Sequence, residues 1–228
     1  MIRAAAALAL AAAAIAGAQS RTMGEGSHRM ELILERLDGN TWHVIDPGLV
    51  LNQGDRVRFK FRTNFDGYLY VMNQSTSGKY EQLFPREDTG QQNRIAASQE
   101  YAVPATETAF RIAGPPGYEI VYWLVTPSRL ADGVPRTTPP APSTAPRPAP
   151  TLIPRCDDTV LKARGECVDS SAGPKLIPRG QQIPPHLTDP YGKGPSDLMF
   201  LRQKDTSVIS SPEPLNGPVM YEFRLAHR

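Results

Sequence analysis

From Met30 onward the chain alternates. Met30, Leu32 and Leu34 are interleaved with Glu31, Ile33 and Glu35. Val57, Phe59 and Phe61 are interleaved with Arg56, Arg58, Lys60 and Arg62. Such a pattern buries one side only as a strand, because successive side chains leave opposite faces of a sheet. On a helix those four cations would circle the axis and leave no apolar face. Shorter apolar runs predict further strands over Trp42–Ile45, Gly67–Met72, Lys79–Phe84, Tyr101–Val103 and Thr108–Ile112. Tyr118–Val125 is almost continuously apolar and rich in β-branched and aromatic residues, as expected of a central strand buried on both faces. Near the end, Val219, Tyr221, Phe223 and Leu225 alternate with Met220, Glu222, Arg224 and Ala226. Turn signals at Asn64–Gly67, Ser75–Gly78 and Gly114–Gly117 separate these runs. The helix candidates are Asp197–Lys204 and one short segment within Cys156–Cys167.

Short strands with a turn every 8–12 residues predict an all-β fold. The expected form is a β-sandwich-like (immunoglobulin-like) antiparallel domain with a long proline-rich insertion before the last strand. Residues 131–195 hold 14 of the 23 prolines, including the run Thr137–Pro150. Such a run buries too little apolar area to offset its ordering entropy and favours solvated polyproline II. The pair Leu152–Arg155 and Leu176–Arg179, both Leu-Ile-Pro-Arg, reads as two apolar staples. The closing strand needs a sheet to pair with, and the available one lies before residue 130. The organisation read from the chain is therefore 1–18 signal peptide, 19–29 flexible segment, 30–130 sandwich core, 131–195 proline-rich insertion, and 196–228 returning segment with the closing strand.

Residues 1–18 run from Met-Ile-Arg through an alanine-rich stretch to Ala16-Gly17-Ala18. A positive start, a short apolar run and a small-x-small site make a secretory signal, cleaved after Ala18. The expected location is periplasmic or secreted, with no membrane span after cleavage. A formal net charge of +2 leaves no basic stripe for nucleic acid.

In an oxidising compartment the only two cysteines, Cys156 and Cys167, should form a disulfide. Their spacing is not that of a redox pair, and no histidine stands near for zinc. Asp157, Asp158, Glu166 and Asp169 lack the alternate-position spacing of a calcium loop and read as a solvated acidic loop. The four histidines are His28, His43, His186 and His227. None lies in a metalloprotease motif, His43 reads as a half-buried packing residue, and no nucleophile elbow, phosphate loop or dinucleotide fingerprint occurs. No catalytic residue, metal ligand or cofactor is assigned. Tyr68, Tyr70, Tyr80, Tyr101, Tyr118, Tyr122 and Trp123 are either core and rim packing or an exposed aromatic surface. The ligand surface proposed from sequence combines Tyr68 and Tyr70 with Arg58 and Lys60, joined by cation–π contacts if the two strands meet in one sheet.

Phe65–Val71, Gln82–Pro85, Asn93–Ile95, Pro104, Gly117–Glu119 and Ile120–Val125 together make a recognisable series. Over about residues 50–127 the chain resembles the bacterial module called domain of unknown function 4384. That resemblance implies an exported or surface-exposed β-sandwich-like module with no established catalytic activity. In that family it is often attached to kinase, caspase-like or other envelope and signalling domains. The expected function is a non-catalytic module that binds or organises an envelope protein or glycan. The alternatives are an envelope-polymer hydrolase with a dispersed site, and an accessory subunit docking through its proline-rich segment.

Overall fold

The computed structural model describes residues 28–130, 153–163, 165–177, 198–203, 205–211 and 218–228. The signal segment, the run Thr137–Pro150, His186 and Leu152 fall outside them.

Two antiparallel sheets pack face to face. The first holds β1 (His28–Asp38), β2 (Thr41–Ile45), β3 (Arg56–Thr63), β7 (Glu100–Val103), β8 (Phe110–Arg111), β11 (Met199–Gln203) and β12 (Thr206–Ser211). Its order is β11-β12-β1-β3-β7, with β2 also on β1 and β8 also on β3. The second holds β4 (Gly67–Gln74), β5 (Tyr80–Phe84), β6 (Arg94–Ile95), β9 (Gly117–Thr126), β10 (Gly173–Lys175) and β13 (Val219–His227). Its order is β10-β13-β9-β4-β5, with β6 also on β4.

The alternation read from the sequence sets the register. Met30, Leu32 and Leu34 of β1, with Val57, Phe59 and Phe61 of β3, face inward with no more than 1% of their surface exposed. Opposite them stand Leu69 and Val71 of β4, Val121, Trp123 and Val125 of β9, and Val219, Tyr221, Phe223 and Leu225 of β13. Trp123 is the hub. Its ring stacks on Phe61 at 5.4 Å and on Tyr221 at 6.4 Å, and meets Phe59 edge-on at 5.2 Å. Gly67 opens β4 because a Cβ there would lie 2.9 Å from the Thr126 carbonyl oxygen.

β9 is a central strand, buried on both faces as expected. β13 pairs with it from Val219↔Val125 to His227↔Gly117, so the closing strand does join the sheet built before residue 130. Two readings are corrected. Asp197–Lys204 is not a helix: Met199–Gln203 forms β11, paired with β12. Its Leu-Met-Phe-Leu run suits either period, and Phe200, edge-on to Tyr221 at 6.2 Å, makes the strand the better-packed choice. The Leu-Ile-Pro-Arg segments do not act as paired staples either, since Ile153 is 71% and Leu176 41% exposed. Among the described residues of the two segments, Ile177 is the apolar one that packs on the sheet. The helical turn within the cysteine loop is present as α1 (Thr159–Ala163).

Candidate functional site

The four residues proposed as one ligand surface fall on different sheets. Arg58 and Lys60 lie on the outer face of β3, Tyr68 and Tyr70 on the outer face of β4. With the core between them, no cation–π contact can join them. Arg58 instead covers the Trp42 ring at 4.2 Å.

Three of the four cations of β3, Arg58, Lys60 and Arg62, also have acid partners. Glu35 of β1 accepts from Arg58 Nε at 2.5 Å and lies 3.8 Å from Lys60 Nζ, which is 3.0 Å from Glu100. Glu31 stands directly opposite Arg62 and accepts from its Nε at 3.0 Å. These are cross-strand pairs; Glu35 is buried, whereas the Arg62–Glu31 pair lies nearer solvent, where an ion pair contributes little. Arg62, 49% exposed, is a clean test: Arg62→Ala should change the unfolding free energy by less than about 1 kcal/mol in urea denaturation.

The tyrosine face is a packed layer. Tyr70 and Tyr122 are 2% and 1% exposed and cluster with Met72 and Leu124. Tyr70 Oη accepts the Leu130 N–H at 3.0 Å, and Tyr122 Oη donates to Gln74 at 2.9 Å. Burial raises the Tyr80 hydroxyl pKa. Packing, rather than display, is what these residues do in the fold.

Cys156 and Cys167 are disulfide-bonded, as expected. Of the acids around them, Asp157 and Glu166 are exposed, as read from the sequence, whereas Asp169, two residues beyond Cys167, is only 1% exposed and does not belong to a solvated loop. Its carboxylate accepts from Tyr118 Oη at 2.5 Å, Arg155 N at 2.7 Å and Ser171 N at 2.7 Å. Burial alone would raise its pKa, but these donors outweigh that and hold it below the ordinary carboxylate value. Tyr118 is pushed up to about 12, by burial first and then by the Asp169 carboxylate. Asp157 is lowered by Ser170, whose side chain and N–H both donate to it. These acids line an opening of about 550 Å³ beside β10 and β11, but each carboxylate is committed to holding the loop. Among the described residues no group of His, Cys, Asp or Glu could hold a metal ion. His43 is exposed, not half-buried: it leaves β2 away from the core.

A second cavity lies between the sheets, where β5 and β8 approach. It measures about 330 Å³. Its apolar walls come from Phe59, Leu83, Phe110, Ile112, Val121 and Leu225. At its rim Arg86 is held between Glu81 at 2.5 Å and Asp88 at 2.5 Å. Hydrogen bonding with Asp88 leads in raising the Arg86 pKa, and the same bond leads in lowering that of Asp88. Glu119 is the recessed acid, 8% exposed, on the inward register of β9 two residues before Val121. Its Oε2 accepts from Asn73 Nδ2 at 2.6 Å. Its Oε1 has the Thr76 N–H at 3.4 Å and His227 Nε2 at 3.5 Å. His227 is fully buried, with neither ring nitrogen hydrogen-bonded.

Neither residue was singled out from the sequence, yet both carried a signal. Glu119 falls in phase with Val121, Trp123 and Val125, and His227 in phase with Val219 through Leu225. A polar side chain on the inward phase of an apolar strand marks a buried group in need of a partner. His227 pairs with Gly117 and Leu225 with Glu119, so the acid and the imidazole are diagonal neighbours on one face.

Residues 50–129 match the family model described as Domain of unknown function (DUF4384). The matched stretch runs from just before β3 past the end of β9 and supplies Asn73, Arg86, Phe110 and Glu119. Leu225 and His227 come from outside it. No curated protein and no solved structure matches the chain. Among the described residues no helix is long and apolar enough to cross a membrane.

Proposed function

We propose that the protein is an exported, non-catalytic binding module that engages an envelope protein or glycan through the cleft between β5 and β8. The observation that carries this reading is the cleft itself: a concavity with apolar walls and one recessed carboxylate, the composition of a binding site. The signal-like first 18 residues and the paired cysteines support export into an oxidising compartment. The hydrolase alternative is less well supported. The imidazole nearest Glu119 is sealed from solvent and has no path to a substrate except through the acid, so it is poorly placed as a general base. The segment on which proline-rich docking would depend lies largely outside the described residues.

The test uses the secreted chain, residues 19–228, co-sedimented with purified peptidoglycan sacculi and with detergent-solubilised envelope proteins on beads. Wild type should be retained on one of the two. Ala109→Trp, which plugs the cleft, should lose at least tenfold in affinity. Equal retention of both proteins would place binding elsewhere and overturn the cleft. Release of soluble fragments from the sacculi would show an enzyme.

A further inference from the structure

Resting on that reading of the cleft, we infer that it takes a lysine side chain of a partner polypeptide, its ammonium meeting Glu119 Oε1 and its aliphatic stem lying along the apolar walls. Three features lead there. First, the acid is fixed but not saturated. Asn73 Nδ2 holds Oε2 at 2.6 Å, whereas Oε1 has contacts no shorter than 3.4 Å. The site therefore presents one strong acceptor at its back. A recessed carboxylate short of donors favours a ligand that brings a charge-assisted hydrogen bond.

Second, one oxygen with only long contacts favours a particular cation. A guanidinium is a planar fork that binds best when both carboxylate oxygens are available. Asn73 takes one of the two lone-pair directions of Oε2, which leaves that fork less of the carboxylate edge than an open acid would offer. An ammonium is a compact charge that needs a single oxygen and fits the geometry offered. Third, the surroundings match such a group. Phe110, Val121 and Leu225 offer apolar contact for a four-carbon stem. The charged residues lining the cleft are Glu81, Arg86, Arg111 and Glu119; Arg86 is already held by Glu81 and Asp88 at the rim, which leaves Glu119 as the recessed charge.

The test is ¹⁵N-detected titration of residues 19–228 with three capped tripeptides: acetyl-Gly-Lys-Gly-amide, its arginine counterpart and its norleucine counterpart. Norleucine keeps the stem and removes the charge. The lysine peptide should shift the amides of 109–113 and 119–121. The arginine and norleucine peptides should bind at least fivefold more weakly, and Glu119→Gln should weaken the lysine peptide about tenfold. If Glu119→Gln fails to fold, the lysine-against-norleucine ratio and Ala109→Trp decide the matter. Norleucine binding as tightly as lysine, arginine binding as tightly as lysine, or an unchanged Glu119→Gln would each overturn the lysine assignment. So would the absence of any shift. In all these cases the wider reading still stands if Ala109→Trp reduces retention on the envelope fractions, and falls if it does not.

Discussion

A chain ending at Asn216 is expected to be insoluble or unfolded. β13 is an inner strand: it pairs with β9 over nine residues on one side and with β10 on the other. Its inward side chains Val219, Tyr221, Phe223 and Leu225 are each no more than 5% exposed. At about 1.5–3 kcal/mol per buried large apolar side chain, the four together rival the whole margin of a typical domain, about 5–15 kcal/mol. The loss spreads further. Trp123 would lose its stacking partner Tyr221, and Phe59 its edge contact with Phe223 at 5.3 Å. The Leu51 N–H would lose the Ala226 carbonyl at 2.8 Å, and β9 would become a bare apolar edge, which invites aggregation. Circular dichroism and thermal unfolding of the truncated chain check this. A cooperative transition within a few degrees of the full chain would show that β13 is dispensable.

The second large effect is expected at Asp169. Asp169→Ala leaves the Arg155 and Ser171 N–H groups without their acceptor and the Tyr118 hydroxyl without its own. Losing a buried charged acceptor with several donors should cost about 2–4 kcal/mol at pH 7. Because Asp169 has a folded-state pKa below the ordinary value of about 3.9, its stabilising contribution is present above that value. It is lost as the pH falls through the folded-state pKa, since protonation then favours the unfolded chain. The gap between wild type and Asp169→Ala should therefore be full at pH 7 and narrow progressively below about pH 4. Urea unfolding of both proteins from pH 7 to pH 3 measures it. A gap independent of pH would mean that packing, not the carboxylate, holds the loop.

The contrast between these two sites shows what was legible in the sequence. The period-two patterns around Phe59 and Phe223 placed an inner strand of each sheet, because burial of a strand face is written locally. The disulfide between Cys156 and Cys167 was legible from compartment and count. Its attachment was not. Val50 N–H bonds to the Cys167 carbonyl at 2.8 Å and Asp169 N–H to that of Gly48 at 2.9 Å, partners more than a hundred residues apart. Nothing near the cysteines points to them. β11 was misread because an unbroken apolar run carries no period. Arg58 and Tyr70 are close in sequence, but the strands that bear them part into opposite sheets at the Asn64–Gly67 turn, and a sequence pattern does not say when a hairpin crosses between layers. Glu119 and His227 were within reach, had inward phase been asked of the polar residues as well as the apolar ones.

The most direct test of the central claim is hydrogen–deuterium exchange on residues 19–228, free and bound to the envelope fraction that retains them. The cleft reading predicts slowed exchange in two stretches far apart in sequence, 109–113 and 119–121, with 73–76 protected alongside them. Protection confined to the outer face of β1 and β3, or to β11, with no change at 109–121, would contradict it.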